Sequence, residues 1–340
     1  MRKSDRRLTR SNRPDRRRTK GRNMTDERSF EAATSSYRAE LLVHCYRMLG
    51  SATDAEDVLQ EVYLRAWKAF HRFEGRSSVR TWMYRIATNT CLSALDGQSR
   101  RPLPTGLGTE AADPRIPVVA DDERLWLQPL PDALLGDPSD AVVVRENVGL
   151  AMVAAMQDLP ASQRAVLILR DVLAFHADET AGLLDMTVAG VNSALARARK
   201  TMGEHTRRDG RRADRLTEHE QSVFDEFCRA FADHDVDGVV GVLASDAVWE
   251  MPPFPGWYQG AAEIGELTEN QCPAAAPGDL KMVPTVSNGL PAAGMYMRDG
   301  EVWRPFQLDV ISIADGAVAH VAAFFGEDLF RLAGLPAVLT

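Results

Sequence analysis

Residues 159–200 read LPASQRAVLILRDVLAFHADETAGLLDMTVAGVNSALARARK, and this stretch decides the fold of its part of the chain. Apolar residues recur at helical spacing over 165–172, and a short helix is predicted over 177–184. A tight turn at 185–186 follows, and Thr187 is placed to cap a third helix. The layout is that of a helix-turn-helix, in which the second helix of the pair enters the major groove of DNA.

The last helix of this stretch has two different faces. The residues predicted to pack on a core are Val188, Val191, Leu195 and Met202. The opposite face is small and polar at its start and cationic at its end, which suits contact with base edges and phosphates. Its candidate DNA-contacting residues are Thr187, Ala189, Asn192, Ser193, Arg197 and Lys200. A protein-interaction module with a solvated basic face would show the same pattern, and Gly190 inside the helix costs about 1 kcal/mol against alanine.

The acidic total charge of the chain, −8, does not exclude a nucleic-acid partner, because charge is segregated along the sequence. Residues 1–28 carry 12 Lys/Arg against 4 Asp/Glu, whereas residues 217–340 carry 5 against 19. Attraction to phosphate fades within a Debye length of roughly 8–10 Å. Local charge therefore decides whether a helix can approach DNA. The excess of acidic residues lies in the last third of the sequence, after the predicted DNA-reading helix.

Length and composition exclude several classes of protein. With 340 residues, 45% of them hydrophobic, the chain can form two or three domains with buried cores. Its four cysteines are widely spaced, which fits a reducing compartment and neither a disulfide framework nor a zinc site. No segment approaches the roughly 18 apolar residues of a membrane span, and no apolar region follows the basic N-terminus. We therefore expect a cytoplasmic protein without membrane contact, metal or cofactor.

The segments before the DNA-reading stretch are a tail and a helical unit. Residues 1–28 are predicted to be a disordered basic tail, either a nucleic-acid-binding arm or, as we favour, a dispensable extension. Residues 29–101 are predicted to be helical, with one apolar stripe closed by Gly50. Thr53 and Glu56 have the spacing of a capping box that starts the next helix, in which Trp67 is expected to point inward.

The remaining segments alternate between connections and folded units. Residues 102–140 are a proline-rich linker containing the apolar run LWLQPLPDALL (125–135), which is predicted to dock on another part of the chain. Helical periodicity covers 141–206, and a basic linker covers 207–216. Residues 217–337 combine helices with short alternating runs, in which 299–300 and 315–316 are Asp-Gly hairpin turns. We expect an α+β unit with a curled antiparallel sheet.

These motifs, in this order, resemble the extracytoplasmic-function (ECF) sigma factors of the sigma-70 family. The pattern LPxxQRAVLxLRDVL…VNSALxRAR is similar to sigma domain four, the reader of the −35 promoter element. DAEDVLQEVYLRAW (54–67) and FEGRSSVRTWMYRIATNTCLSAL (73–95) are similar to domain two, and the linker resembles that of one sigma subgroup. The resemblance covers nearly the whole chain beyond Met24 and implies a multidomain fold with two all-α sigma modules.

The resemblance also implies partners and site residues. Core RNA polymerase would be contacted through its β′ clamp helices and its β flap, and promoter DNA through domains two and four. The residues implied to dock on the clamp helices are Asp54, Asp57, Gln60 and Glu61; from the residues alone a solvated acidic surface is favoured, and only the family resemblance reverses this. The residues implied to contact the melted −10 strand are Phe73, Arg76, Arg80, Arg85, Asn89 and Arg100. Cations interleaved with aromatics suit single-stranded DNA, although Trp82 and Tyr84 also fit a core.

Residues 217–337 resemble the SnoaL-like cone fold of polyketide cyclases and ketosteroid isomerases. That fold encloses an apolar pocket suited to a small ligand. The residues expected to line it are Trp249, Met251, Trp257, Tyr296, Trp303 and Phe324, each of which could instead fill the core. Glu250, Asp309 and His320 are available as acids or bases, but none aligns with a catalytic position, so we expect no enzyme activity. The strongly acidic unit could also regulate the sigma modules in cis.

Three hypotheses follow from the sequence. The first is a non-enzymatic promoter-specificity subunit of RNA polymerase, with a fused domain that senses a ligand or regulates the sigma modules. The second is a bifunctional protein whose C-terminal unit is a cyclase or isomerase. The third is a ligand-responsive repressor that binds duplex DNA without polymerase. We favour the first, because two independent sigma-like modules stand in the expected order.

Overall fold

The computed structural model describes residues 28–136, 149–205 and 216–340. Residues 1–27 of the predicted basic tail, the junction 137–148 and almost all of the predicted basic linker lie outside these ranges, and Arg28 is the first residue of a helix. Within them, two helical units precede a C-terminal unit of helices and a six-stranded sheet. None of the described helices has the length and apolar character that crossing a membrane requires.

The first helical unit is a bundle around one apolar core. Its elements are α1 (28–34), a 3-10 turn (Ser35–Tyr37), α2 (Arg38–Leu49), α3 (Ala52–Phe70) and α4 (Val79–Ala94). Gly50 ends α2 in the left-handed conformation (φ 68°), as its position after the apolar stripe predicts. Ser51 caps α3, because its hydroxyl accepts a hydrogen bond from the backbone N–H of Asp54 (3.1 Å). The predicted cap at Thr53 is therefore wrong, since Thr53 already lies inside the first turn.

The second helical unit contains the DNA-reading stretch. Its elements are α5 (Leu150–Gln157), α6 (Ala161–Leu167), a π-helical turn (Ile168–Val172), α7 (Ala177–Leu184) and α8 (Val188–His205). This order reproduces the predicted helices, with a connection at 185–187 between α7 and α8. Asp185 takes the left-handed conformation (φ 55°) at the end of α7, which lets the chain turn sharply into α8.

Arg164 fastens the second helical unit to the first. Its buried guanidinium donates to the carbonyl oxygen of Met48 at the end of α2 and to Gln157 Oε1 (2.7 Å). It also donates to the carbonyl oxygens of Gln157 and Leu159 (both 3.1 Å), beyond the end of α5. The last carbonyls of a helix have no partner within the helix, so one arginine satisfies acceptors at two helix ends. Burial lowers the pKa of Arg164 to about 10.

The predicted linker follows a defined path between the units. Leu127, Leu130 and Leu135 are buried, so the apolar run docks as the sequence predicts. Earlier in the linker, the backbone N–H of Ala112 donates to the carbonyl oxygen of Trp257 (2.7 Å) in the C-terminal unit. The linker therefore leaves the first helical unit, contacts the C-terminal unit and then returns to the first helical unit, where the N–H of Gln128 donates to the carbonyl oxygen of Gly50 (3.0 Å).

The C-terminal unit is a curled mixed sheet with helices on both faces. Its helices are α9 (Glu218–Ala232), α10 (Val236–Val242), α11 (Ala261–Gln271) and α12 (Glu327–Leu332). Its strands are β1 (Leu243–Glu250), β2 (Trp257–Gln259), β3 (Leu280–Ser287), β4 (Leu290–Asp299), β5 (Val302–Ala314) and β6 (Ala317–Phe325). The strand order is β2-β1-β6-β5-β4-β3, and β1 pairs with β6 in parallel. That pair makes the sheet mixed, whereas the sequence predicted an antiparallel one; both Asp-Gly turns connect strands as predicted.

The two faces of this sheet are buried by different elements. On one, which we call the helix-covered face, Trp249 packs against Phe227 and Phe231 of α9 (ring centroids 6.3 and 5.8 Å apart). On the opposite face, Tyr296 packs edge-on against Phe330 of α12 (5.1 Å). Successive strand residues point to opposite faces, so β4, β5 and β6 each contribute to both clusters.

Candidate functional site

The start of α8 is organised by Thr187. Its hydroxyl accepts a hydrogen bond from the backbone N–H of Gly190 (3.0 Å), which is the predicted N-terminal cap. A Cβ at position 190 would lie 3.1 Å from that hydroxyl oxygen. Glycine therefore leaves room for the cap, which gives a structural reason for a residue that its helix propensity disfavours.

The exposed face of α8 contains all of the predicted DNA-contacting residues of this helix. Thr187, Ala189, Asn192, Ser193, Arg197 and Lys200 are all exposed; we call this set the recognition face. Arg197 Nη1 donates to Ser193 Oγ (2.7 Å), so these two side chains form one polar cluster on the recognition face. Val191 and Leu195 are buried as predicted, but Val188 is 44% exposed and does not belong to the packed face. Val188 is the first residue of the helix and projects beyond the core of this unit.

The predicted polymerase-docking residues lie along α3. Asp57 and Gln60 are exposed, whereas Asp54 is paired with Arg101 (2.5 Å) and Glu61 with Arg65 (2.7 Å). We call Asp54, Asp57, Gln60 and Glu61 the acidic stripe. Residues three and four apart are neighbours on a helix surface, so they share one side of α3.

Leu64, an apolar residue on this side of α3, was not among the residues predicted from the sequence. Leu64 follows Gln60 by four residues and Glu61 by three, and it is 51% exposed. Trp67, which we expected to point inward, is also partly exposed and contacts Phe30 edge-on (5.4 Å). A large exposed apolar side chain beside exposed polar ones is typical of a protein-docking surface, which has an apolar centre and a polar rim. Its position three and four residues from the stripe was the available signal.

The residues predicted to contact the melted −10 strand divide into two groups. Arg85 and Asn89 are exposed on α4, and Arg76 is exposed in the preceding loop beside Glu74 (2.7 Å). Phe73 packs against Trp82 (ring centroids 5.0 Å apart), and both are half-buried. These side chains give α4 and its loop a surface of cations and partly exposed rings.

Arg80 and Arg100 form the second group and do not present free guanidiniums in this structure. Arg80 donates to both carboxylate oxygens of Glu40 (2.9–3.1 Å), and its guanidinium lies over the rings of Tyr84 (4.9 Å) and Phe175 (5.5 Å). Arg100 donates to the Asp158 carboxylate. In this structure carboxylates distant in sequence bind both guanidiniums, and Arg80 also contacts Phe175 of the second helical unit. That both residues contact DNA stays a prediction.

The residues predicted to line a ligand pocket do not surround one site. Trp249 and Met251 belong to the helix-covered face, whereas Tyr296 and Phe324 pack on the opposite one. Strand alternation separates these two pairs, which corrects the prediction. The remaining two, Trp257 and Trp303, bind backbone carbonyls. Trp257 Nε1 donates to the linker at Thr109 (3.1 Å), and Trp303 Nε1 donates to Gly278 (2.9 Å).

Glu250 and His320 connect the C-terminal unit to the linker. The buried Glu250 carboxylate accepts a hydrogen bond from the backbone N–H of Thr105 (2.9 Å), and its other oxygen lies 2.8 Å from His320 Nε2. Both carboxylate oxygens therefore have protein partners. This arrangement holds the linker in place against the C-terminal unit.

A second contact between the units was not predicted. The β3–β4 turn places Asn288 beside the linker, where its N–H donates to Leu130 O (2.8 Å) and its Oδ1 accepts from Leu130 N (2.9 Å). Asn288 Nδ2 donates to Tyr46 Oη (3.0 Å), which in turn donates to Gln128 O (2.9 Å). We call Tyr46, Gln128, Leu130 and Asn288 the docking notch. The dipeptide Asn288–Gly289 signals a hairpin turn, but nothing in it signals what the turn contacts.

Family models match both helical units. The family described as Sigma-70 region 2 matches residues 34–101, and the family described as Sigma-70, region 4 matches residues 150–202. The first match contains the acidic stripe and α4, and the second contains the recognition face.

Proteins similar in sequence match more of the chain than the two family models do. The ECF RNA polymerase sigma factor SigG of Mycobacterium tuberculosis is 50% identical over 324 residues, which span 93% of this chain and 87% of that protein. SigX of Bacillus subtilis, also an ECF sigma factor, is 30% identical over 181 residues, 53% of this chain and 84% of SigX. The crystal structure of the M. tuberculosis ECF sigma factor SigJ has a TM-score of 0.55 at 22% identity, covering 91% of this chain and 99% of SigJ. The SigJ likeness concerns the fold.

Proposed function

The chain belongs to the ECF RNA polymerase sigma factors, and from that premise we propose which of its surfaces carry each step of promoter recognition. It is a transcription initiation factor and not an enzyme, and as a sigma factor it binds core RNA polymerase and promoter DNA. We propose that the recognition face reads the −35 element. The observation that carries this is the exposure of all six of its residues on a helix whose other side is packed in the core.

Arg197→Ala should lower promoter-dependent transcription by about tenfold or more, because a long cationic side chain would lose its contact with a base edge or phosphate. The measurement is in vitro transcription with purified core polymerase, together with the affinity of the variant for that polymerase. The affinity should stay unchanged, and Arg331→Ala, on the exposed side of α12, should transcribe like the parent. Equal transcript from parent and Arg197→Ala would overturn the assignment.

We propose that the acidic stripe and the neighbouring Leu64 dock on the β′ clamp helices. The two exposed members, Asp57 and Gln60, would form part of a polar rim around an apolar contact. Asp54 is paired with Arg101 in the free chain, so docking through Asp54 requires that this ion pair open or accept a further partner. The β flap contact is proposed for the second helical unit, on the family resemblance alone.

Leu64→Glu should weaken binding to core polymerase by about tenfold or more, because it replaces a central apolar contact by a charge that must be desolvated. The side chain is already exposed, so folding should be unaffected. Binding is measured by titrating labelled chain with core polymerase. Val119→Glu makes the same change at an exposed linker residue and should bind like the parent. Equal losses in both variants would argue against a specific contact at Leu64.

We propose that the C-terminal domain regulates the sigma modules in cis through the docking notch. The notch joins α2, the linker and the β3–β4 turn by four hydrogen bonds. In the same structure, Arg100, which follows α4, binds Asp158, which follows α5. The C-terminal domain would hold a closed form in which the two helical units stay together and Arg100 is unavailable to DNA.

Asn288→Gly should open this contact, because glycine keeps the left-handed turn (φ 55°) but loses both side-chain hydrogen bonds. Two buried bonds of about 1 kcal/mol each correspond to roughly a tenfold shift or more toward the open form. We expect faster proteolysis of the linker and more transcript at limiting factor concentration. Asp315→Gly, at a left-handed turn position that is exposed, is the matched control. Unchanged proteolysis and transcription in Asn288→Gly would remove the basis for cis regulation.

We also propose that the C-terminal domain binds a small ligand. The proposal is supported by the curled sheet, one face of which packs its aromatic side chains against α9, an arrangement suited to an apolar ligand. The six pocket residues predicted from the sequence do not define its site, since they divide between the two faces.

A further inference from the structure

The linker segment 105–121 lies along the C-terminal unit, and we call it the linker strap. From residue 108 to residue 121 it contains neither helix nor strand, so its buried main-chain groups need partners outside the strap. In the described part of the chain, six hydrogen bonds join it to the C-terminal unit. At its far end, the N–H of Asp121 donates to the carbonyl oxygen of Pro253 (2.9 Å).

The first half of the strap is bound where β1 ends and β2 begins. The buried carboxylate of Glu250, the last residue of β1, accepts a hydrogen bond from the N–H of Thr105 (2.9 Å). Trp257, the first residue of β2, binds through two groups. Its Nε1 donates to the carbonyl oxygen of Thr109 (3.1 Å), and its own carbonyl oxygen accepts from the N–H of Ala112 (2.7 Å). Every strap atom in these bonds belongs to the main chain.

The second half of the strap forms a turn that Gln271 binds. The Asp113 carboxylate accepts a hydrogen bond from the N–H of Arg115 (3.0 Å), which closes the turn around Pro114. Gln271, the last residue of α11, donates from Nε2 to the carbonyl oxygens of Pro114 (3.2 Å) and Ile116 (3.4 Å). The strap atoms bound here are again main-chain atoms. The residues that bind the strap are thus Glu250, Pro253, Trp257 and Gln271, which we call the strap groove.

Only a few strap side chains are fitted to the C-terminal unit. A Cβ at Gly256 would lie 3.2 Å from the Cβ of Ala112, so the strap passes close to the main chain of the β1–β2 loop. Pro114 is buried, and Val118 packs with Ala112 against the apolar cluster of the helix-covered face. The fit therefore requires a small residue two positions before a proline and accepts a branched apolar residue four positions after it.

Recognition through the main chain does not depend on the covalent connection between strap and domain. Main-chain groups are the same in every peptide, so a separate peptide with the same three side chains meets the same hydrogen-bond partners. The strap gains from being tethered, which gives it an effective concentration on the order of millimolar. Its branched side chains Ile116 and Val119 are 63% and 73% exposed, so apolar burial adds little to its hold. The strap is therefore suited to exchange with a competitor.

We propose that the strap groove is a peptide-binding site for a proline-containing segment without helix or strand, and that the linker strap is its ligand in cis. A protein partner that carries such a segment would occupy the groove and release the strap. The inference goes beyond the proposed cis regulation, because it concerns what the groove binds and not what the docking notch holds.

The test first releases the strap in the full chain. Ala112→Tyr combined with Val118→Asp changes the strap and leaves the groove intact. A ring does not fit beside Gly256, and a charge would have to be buried in the apolar cluster. Amide hydrogen exchange across residues 103–123, followed by mass spectrometry, should be about tenfold faster than in the parent. Far-UV circular dichroism establishes that the variant folds. Unchanged exchange would show that these contacts do not hold the strap, and the proposal would fail.

A fluorescent peptide of residues 103–123 is then titrated into both chains, and anisotropy measures its binding. We expect saturable binding to the released variant that is about tenfold or more tighter than to the parent, whose own strap competes. A control peptide with Ala112→Tyr and Val118→Asp should not bind. In the released variant, Gln271→Ala should weaken binding about fivefold or more, because two hydrogen bonds are lost. Asn270→Ala removes an exposed amide from the same helix and should leave the affinity unchanged.

The remaining outcomes argue against the proposal in different ways. If the released variant does not bind the peptide, the groove is not a peptide site. If the parent binds equally tightly, or if Gln271→Ala leaves the affinity unchanged, the peptide binds elsewhere. If the parent is a dimer that the peptide dissociates, the strap of a second copy is the occupant, and the cis arrangement is wrong. Asn288→Gly tests the docking notch and alters no strap contact, so failure of the cis regulation and failure of the groove are distinguishable.

Discussion

Replacing Arg164 by alanine is expected to lower the free energy of unfolding of the two helical units by about 3–5 kcal/mol. The guanidinium donates to four acceptors: the carbonyl oxygens of Met48, Gln157 and Leu159, and the side chain of Gln157. Alanine would leave those buried acceptors without a donor and open space between α2 and α6. Because the acceptors belong to both helical units, the loss should also loosen their packing against each other.

The measurement is urea unfolding followed by far-UV circular dichroism, since most of the described helix lies in these two units. Arg164→Lys keeps the charge but cannot reach four acceptors in a planar arrangement, so it should lose nearly as much stability. Arg85→Ala, on the exposed side of α4, is the control and should change stability by less than about 0.5 kcal/mol. An Arg164→Ala chain as stable as the Arg85→Ala control would show that the buried network contributes nothing net.

Raising the pH should destabilise the C-terminal unit through Asp309, by up to roughly 4 kcal/mol. Burial raises the pKa of this carboxyl group from 3.8 to about 7. Between these values the folded chain keeps a proton that the unfolded chain has released. The stability contributed by that proton is complete below the unfolded value and lost as the pH rises through about 7. The thiols that face Asp309, of Cys228 and Cys272, have pKa values raised by burial and do not titrate in this range.

Asp309→Asn isolates this effect, because asparagine does not titrate. The measurement is the unfolding free energy of parent and variant at about pH 4.5 and about pH 8, and the expected result is a smaller decrease in the variant. Asp315→Asn, at an exposed turn, should behave like the parent. Parallel pH profiles for parent and Asp309→Asn would show that Asp309 is ionised in the folded chain.

The first helical unit should respond to pH in the opposite direction. His44 is buried against Thr88 (2.9 Å), and burial, with a smaller effect of Arg47, lowers its pKa to about 3. Between this value and 6.5 the unfolded chain binds a proton that the folded chain does not, so stability rises with pH. The effects of His44 and Asp309 on the stability of the whole chain oppose each other as the pH changes. Each effect therefore has to be measured as the difference between the parent and a variant of that residue.

Local patterns predicted the helical units well. The period of 3.6 residues separates Val191 and Leu195 from Asn192 and Arg197 whatever the helix packs against, and the structure keeps these two faces. Thr187 as the cap of α8 and the Asp-Gly turns were likewise readable, because capping and turn geometry depend on a few adjacent residues. The exception, Ser51 in place of Thr53, differs by less than one helical turn.

Partners far apart in sequence were not predictable in the same way. Arg80 binds Glu40 across 40 residues, Arg101 binds Asp54 across 47, and Asn288 binds Tyr46 across 242. No spacing rule selects one carboxylate among many for a given arginine. The first pair gives Arg80, a predicted DNA-contacting residue, a partner within the chain, and the third pair forms part of the docking notch.

The amino-acid sequence alone determined the order of the units, the helices that carry the recognition face and the acidic stripe, and membership of the sigma-70 family. Only the tertiary structure decided which face of each strand lies under helices, and so placed Asp309 and Trp249 on one side and Tyr296 and Phe324 on the other. Alternation along a strand shows which residues share a face but not which face is covered. That choice depends on helices and a linker that come from distant parts of the chain.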